Sequence, residues 1–502
     1  MRPSLAPRGA PVTLAAAVLL IAASAASCDG NHPLDPGPHT PGIQVVSGGN
    51  VTDTINATLH QRLYVHVVDR DGKPAAGVTV RFTGIQTMWG NFPESSVFFP
   101  ADSGRVWPAA VAQTNRLGYA SAAIMLGYVA GAAGVVVSVP ELGLRDTVRY
   151  TIKPGEPVDV VVWPADSATY AGSGYTIHGS AVDRVGNHRP EPVTFARYSG
   201  PVKVDAKTGA MTADAGATGR AAVTVSSGTL GRVAMISVVP RGTLAVQSYY
   251  AGNGGPLGLV VVDLDGSNYR RIAPGDDNEQ SPHGLDWSPD GSTILTAPDT
   301  RLVTVTPTGQ QQTLLEMNGI IREPRWSNDG QWVYFAYNGY GSEPMGLYRV
   351  SADGRTMEQY GAPGLKRDPS PSPDGQAVAY QDFSNCYISN PCTRIVDLPT
   401  NTDRTIMGNG YLVVGTRPAW SPVRDQIAVA VGSTVEVLRP DGTADRIFAG
   451  TYREVRWMDW SPDGRWIVVS GGGMPVTLLD TSNGDELPLA FLLSHGEATW
   501  RP

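Results

Sequence analysis

Trp287-Ser-Pro-Asp-Gly291 recurs along the second half of the chain, and the fold follows from it. It returns as Trp326-Ser-Asn-Asp-Gly330, Pro371-Ser-Pro-Asp-Gly375, Trp420-Ser-Pro422 and Trp460-Ser-Pro-Asp-Gly464, then in short form as Trp500-Arg-Pro502. The spacings are 39, 45, 49, 40 and 40 residues, and five of the 11 tryptophans hold this one position. A period near 40 marks a repeated structural unit. Each unit reads as four strands. Trp-Ser-Pro closes the first, and Asp-Gly supplies a tight turn. Short apolar strands follow, such as Trp332 to Phe335 and Leu347 to Val350, and a second turn, Ala352-Asp-Gly354, leads to the fourth.

One four-stranded sheet cannot bury both faces, so such sheets pack radially with a tryptophan in each seam. The last unit stops after its first strand. Residues 243–273 contain what it lacks: Leu244 to Tyr249, Leu257 to Asp263 with its Asp265-Gly266 turn, and Tyr269 to Ile272. Pairing the two ends would remove the open sheet edges. The expected fold is therefore all-β, with a six-bladed β-propeller over 242–502 closed by its N- and C-terminal strands. The Trp-Ser-Pro-Asp-Gly units, with Val261-Val-Asp263-Leu-Asp265-Gly-Ser267, resemble the repeats of TolB-type propellers. That resemblance covers residues 243–502. The segment that would precede the propeller in TolB differs here.

Residues 43–153 alternate apolar and polar in short runs between turn signals. The run Leu63 to Val68 is turned by Asp69-Arg-Asp71-Gly72-Lys-Pro74 and returns over Gly77 to Phe82; Thr114-Asn-Arg-Leu-Gly118 precedes Ala120 to Leu126. These pieces resemble bacterial immunoglobulin-like modules of the invasin and intimin type. An insertion over 84–113, with Trp89 and Trp107, departs from that pattern. Residues 154–241 repeat the theme in shorter form, with a turn at Asp183-Arg-Val-Gly-Asn187. Two Ig-like β-sandwiches are expected before the propeller. The Asp69–Asp71 turn reads as a hairpin rather than a calcium loop, because Asp and Gly supply the backbone angles and further acidic ligands are lacking.

Arg2 and Arg8, the apolar run Val12 to Ala23 and the small residues before Cys28 read as a secretion signal over 1–27. The ending Ser24-Ala-Ala-Ser-Cys28 resembles a lipobox, which implies a lipid-anchored Cys28. The only other cysteines, Cys386 and Cys392, can pair with each other as a disulfide in an exported protein. Residues 28–42, rich in Pro, Gly and Asp, read as a tether. Removing residues 1–27 takes two arginines and no acid, moving the formal charge from −8 to −10. An acidic chain without basic runs is a poor nucleic-acid binder. The expected location is the cell envelope, membrane-anchored and facing the periplasm or the cell surface, and the expected state is monomeric.

In a propeller the loops between second and third strands, and those between blades, share one face with the starts of the innermost strands. Counting back from each Trp position places His283, Arg322, Glu323, Arg367, Asp368, Arg417, Arg456, Trp457, His495 and Glu497 at that channel mouth. Arginines and carboxylates together suit a polar or charged ligand. They could equally pair with one another. No nucleophile elbow, zinc-protease helix or phosphate-binding loop is present, and no metal or other cofactor is called for. The sequence favours a binding module, with an envelope protein, peptide or glycan as partner. The alternative is a propeller enzyme of glycosidase, lyase or lactonase type using carboxylates of the channel mouth.

Overall fold

The computed structural model describes residues 41–89, 92–101, 103–248, 258–273, 284–342, 344–384, 391–408, 411–412, 416–450, 455–471, 474–493 and 495–502. The described chain is all-β, with a single 3-10 turn at Pro140–Leu142. It divides into two compact units, residues 1–153 and 154–502.

In the first unit, Leu63–Val68 pairs with Gly42–Ser47 and Tyr119–Ala122, and a separate five-stranded sheet contains Thr79–Gly84 and Gly131–Val139. Alternation sets the burial: Leu63, Val65 and Val67 point inward, as do Val80 and Phe82. The Asp69 turn is held by its own carboxylate, whose Oδ1 accepts from Asp71 N and Lys73 N, both at 2.9 Å. Asp183 does the same for Val185 N and Asn187 N. These carboxylates cap backbone.

The second unit begins with three sheets over residues 157–239, around a core that includes Val160, Phe195, Met211, Val223 and Ile236. Six four-stranded antiparallel sheets follow. In chain order, five of them start with Leu285–Trp287, Gly319–Trp326, Lys366–Pro371, Thr416–Trp420 and Val455–Trp460. The sixth joins His495–Trp500 to Thr243–Ser248, with Leu244 opposite Trp500 and Val246 opposite Ala498. The six first strands touch one another in a closed cycle, and His495–Trp500 lies against both Val455–Trp460 and Leu285–Trp287.

The recurring residues each have a structural task. In four repeats the serine hydroxyl donates to the aspartate two residues on: Ser288 to Asp290, Ser327 to Asp329 and Ser372 to Asp374 at 2.6 Å, Ser461 to Asp463 at 2.5 Å. The glycine that follows is left-handed, at φ 66 to 68°. Trp287, Trp420, Trp460 and Trp500 are buried between their own sheet and the preceding one. Where Pro371 replaces tryptophan, the seam is filled by Tyr334, Tyr360 and Tyr380, the first two meeting edge-on at 5.7 Å.

Residues 157–239 are also packed onto the last two sheets. Ala168, Tyr170 and Val239 belong to one core cluster with Leu244, Trp466 and Trp500. Tyr170 donates to Gly242 O at 3.2 Å, and Ser237 donates to Pro488 O at 2.8 Å. The physical reason is continuity: strand Leu230–Val239 runs within four residues into Thr243–Ser248, so its buried end and the propeller share a core.

Candidate binding site at the channel mouth

The first strands do not run straight. Three residues before the Trp position the backbone turns left-handed, at Gly284 (φ 97°), Glu323 (45°), Asp368 (50°) and Arg417 (53°). The ladder register breaks at the last three, between Arg322 and Arg325, Arg367 and Ser370, and Thr416 and Ala419. These are β-bulges, which re-aim a side chain out of the alternation. For a non-glycine residue that conformation costs on the order of 1–3 kcal/mol, and it persists where the surroundings or a function demand it.

The bulges bring charge together out of solvent. Glu323, Asp368 and Glu497 are each less than one-tenth exposed. Arg417 reaches Asp368 Oδ1 through Nε at 3.6 Å and Glu497 Oε1 through Nη1 at 3.5 Å. Arg367 lies 3.8 Å from Glu323 Oε1, and Asp368 N donates to Glu323 Oε2 at 3.4 Å. Glu497 Oε2 and Asp368 Oδ1 accept no hydrogen bond among the described residues. Burial, reinforced by the Asp368 charge, pushes Glu323 up to about 8, and burial pushes Glu497 up to about 7. Burial lowers Arg322.

A deeper layer, one residue before each Trp position, was not read from the sequence. Arg325 pairs with Asp459 at 3.0 Å and Asp286 at 3.4 Å, and donates to Met458 O at 3.2 Å. Asp286 Oδ2 accepts from Trp326 N at 2.7 Å, and Asp459 Oδ2 accepts from Thr499 Oγ1 at 2.7 Å and Trp500 N at 3.2 Å. Ser370 holds the equivalent place for Trp420 N at 2.8 Å. These residues tie neighbouring sheets together. Below them, toward the Asp-Gly turns, lies a cavity of about 310 Å³ lined by the repeat tryptophans and prolines.

Of the other residues expected at the mouth, Arg456 is exposed. Trp457 is buried beneath two guanidinium groups, with Arg325 4.5 Å and Arg417 5.2 Å from the ring. It therefore supports the arginines and is not an open contact. His283 lies outside the described residues, as does the side chain of His495, whose backbone is in the closing strand. Cys392 is disulfide-bonded; Cys386 and Cys28 lie outside the described residues. Among the described residues no group of three or more His, Cys, Asp or Glu is placed to hold a metal ion, and no helix is long and apolar enough to cross a membrane.

The raised carboxyls set a pH dependence. Folded Glu323 and Glu497 keep their protons to about 8 and 7, while unfolded glutamate loses its proton near 4.3. Stability then falls as pH rises from about 4.5 to 8 and levels off above, because the folded state binds more protons in that window. Thermal unfolding should show stability declining across that window. Glu323→Gln should flatten the curve and melt no lower than wild type at pH 9. A wild-type profile that rises over that window would contradict the placement of these groups.

Six four-stranded sheets whose first strands meet in a cycle, with buried charge on those strands, are the arrangement of a β-propeller. No family model matches the chain. It is 35% identical over 88 residues to the Tol-Pal system protein TolB of Francisella tularensis subsp. tularensis (strain WY96-3418), a match covering 16% of this chain and 20% of the relative. TolB from subsp. holarctica (strain OSU18) matches to the same extent. The chain thus spans about a fifth of the length of these relatives. Among solved structures, TolB from Acinetobacter baumannii covers 62% of this chain and 83% of its own, at 16% identity and a TM-score of 0.42. A putative TolB from Agrobacterium tumefaciens covers 50% and 89%, at 14% and 0.38.

Proposed function

We propose that the chain is an exported envelope lipoprotein that binds a partner without catalysis. In this reading Cys28 carries the lipid and residues 28–42 form the tether. Residues 43–153 and 154–241 are Ig-like modules, and the six sheets of 242–502 are the blades of a closed propeller that works as a monomer. Cys386 and Cys392 form a disulfide that pins a loop on the mouth face. The partner is an envelope protein, peptide or glycan that carries charged or hydrogen-bonding groups into the mouth.

One observation carries the proposal. Glu323, Asp368 and Arg417 sit on left-handed bulges, and the buried Asp368 Oδ1 and Glu497 Oε2 have no hydrogen bond among the described residues. Buried polar groups are ordinarily satisfied, and a site that withholds partners from them has capacity for a ligand. The competing reading, a propeller hydrolase, draws on the same raised Glu323 and Glu497. The close arginines favour binding over catalysis, since Arg367 lies 3.8 Å from Glu323 and Arg417 3.5 Å from Glu497. The discriminating experiment is a pull-down from detergent-solubilised envelope with the full mature chain, its Arg417→Glu variant and the exposed Arg456→Glu variant, with glycan and ester hydrolysis measured on the same samples. Wild type should recover a partner, both variants should weaken recovery at least about tenfold, which is 1.4 kcal/mol, and no turnover should appear. Equal recovery by all three, or glycan or ester turnover by wild type, would refute the reading.

A further inference from the structure

The cavity of about 310 Å³ on the side of the Asp-Gly turns takes its lining from all six four-stranded sheets, with Trp287, Trp326, Trp420, Trp460 and Trp500 among the lining residues. It therefore lies on the axis of the ring, at the end away from the mouth. Trp287, Trp420, Trp460 and Trp500 are each less than one-tenth exposed, whereas Asn328, Val423, Pro462 and Pro502 of the same lining are exposed, so the cavity opens at the turns. Asn328 stands where the other five repeats carry proline. Its Nδ2 donates to Pro422 O at 2.8 Å, in the turn after strand Thr416–Trp420. That bond ties two turns together across the opening, so what enters is a small group rather than a folded surface.

The inner end of the cavity carries charge. Asp286, Arg325 and Asp459 line it. Burial pushes Asp286 up to about 7, so above that pH the three side chains carry one net negative charge. Their oxygens already have donors. Asp286 Oδ2 accepts from Trp326 N, Asp459 Oδ1 from Arg325, and Asp459 Oδ2 from Thr499 Oγ1 and Trp500 N. Ser370 Oγ accepts from Trp420 N. A primary ammonium brings three donors and would lose its water here without gaining acceptors. A quaternary ammonium brings none. Indole rings attract cations, and the Arg501 guanidinium already lies 5.3 Å over the Trp287 ring.

We propose that this axial cavity is a second ligand site, separate from the mouth, which takes a small quaternary ammonium group of the choline type. Tryptophan and proline rings make the walls that its methyl groups need, and pockets of this kind are mostly apolar with a few placed polar groups. The net charge at the inner end selects a cation over an anion or a neutral solute of the same shape. A zwitterion such as glycine betaine would bring its own carboxylate toward Asp286 and Asp459, and is disfavoured.

The test is calorimetric titration of the full chain at pH 8 in a maltoside detergent, which carries no ammonium group, with tryptophan emission followed in parallel. Tetramethylammonium and choline should bind saturably, with a Kd of about 1 mM or lower. Dimethylbutanol, the neutral analogue with carbon in place of the charged nitrogen of choline, should bind at least about tenfold more weakly, and so should glycine betaine. Trp326→Leu and, separately, Asp286→Asn should each weaken choline by about fivefold or more. The comparison with dimethylbutanol needs no variant, so the proposal stays decidable if a substitution unfolds the chain. Cosedimentation with phosphatidylcholine vesicles separates the sources of the group. Vesicle binding that choline displaces identifies a lipid headgroup, and choline binding without vesicle binding identifies a free solute. No saturable binding of choline, equal binding of dimethylbutanol, or choline binding unchanged in both variants would overturn the proposal.

Discussion

Deleting residues 496–502 should unfold the whole second unit and leave the first intact. The deletion removes most of the strand that pairs with Thr243–Ser248, together with Trp500 from a cluster that contains Trp466, Leu244, Val262 and Leu489. It also takes away the Thr499 and Trp500 donors to Asp459, leaving a buried carboxylate with fewer partners. Each large side chain that loses its packing costs about 3–5 kcal/mol, against about 5–15 kcal/mol of stability for a whole domain. Ala168 and Tyr170 lie in the same cluster, so residues 157–239 should be lost with the propeller. Limited proteolysis of the truncated chain should leave a protected fragment close to residues 42–153 and nothing from 154 onward. A truncated chain that melts like the full-length protein would mean that Trp500 does not close a blade.

Arg325→Met should be nearly as damaging, through charge. Arg325, its side chain 11% exposed, lies between Asp286 and Asp459, above the Trp457 ring. Removing it strands two carboxylates, and breaking a buried pair costs about 3–5 kcal/mol. The loss should depend on pH. Burial already raises Asp286 to about 7, so above that value it must stay charged without its partner, while at lower pH it can bind a proton. Denaturant unfolding should therefore show a larger deficit for Arg325→Met at pH 8 than at pH 5.5. Adding Asp286→Asn and Asp459→Asn should recover part of the loss at pH 8. A deficit of under 1 kcal/mol at pH 8 would show that the Asp–Arg–Asp layer does not hold the sheets together.

The repeat was legible because the Trp-Ser-x-Asp-Gly residues are structural. Ser288, Asp290 and Gly291 build the turn and Trp287 fills the seam, so spacing alone located every first strand. The bulges were not legible. Only glycine announces a left-handed backbone, and of the four such positions only Gly284 is one; Glu323, Asp368 and Arg417 stand at the same offset without any local sign. Aligning the repeats on Gly284 would have pointed to them. The Asp286–Arg325–Asp459 layer escaped for a related reason. Opposite charges 39 and 134 residues apart meet only after the ring forms, and in sequence each is an ordinary polar residue beside a tryptophan. The union of residues 157–239 with the propeller rests on Tyr170, whose hydroxyl finds Gly242 O across a boundary that turn signals alone make look like a linker.

The most direct test of the channel-mouth reading is site-specific photocrosslinking of the full chain in its native envelope. A photoreactive residue would replace Arg456, exposed at the start of a first strand on the mouth face, and in a parallel strain Arg439, exposed beside the Pro440-Asp-Gly442 turn on the opposite face. A discrete adduct is expected from position 456, lost when Arg417→Glu is added, and none from position 439. An adduct from 439 alone, or one from 456 that survives Arg417→Glu, would contradict it.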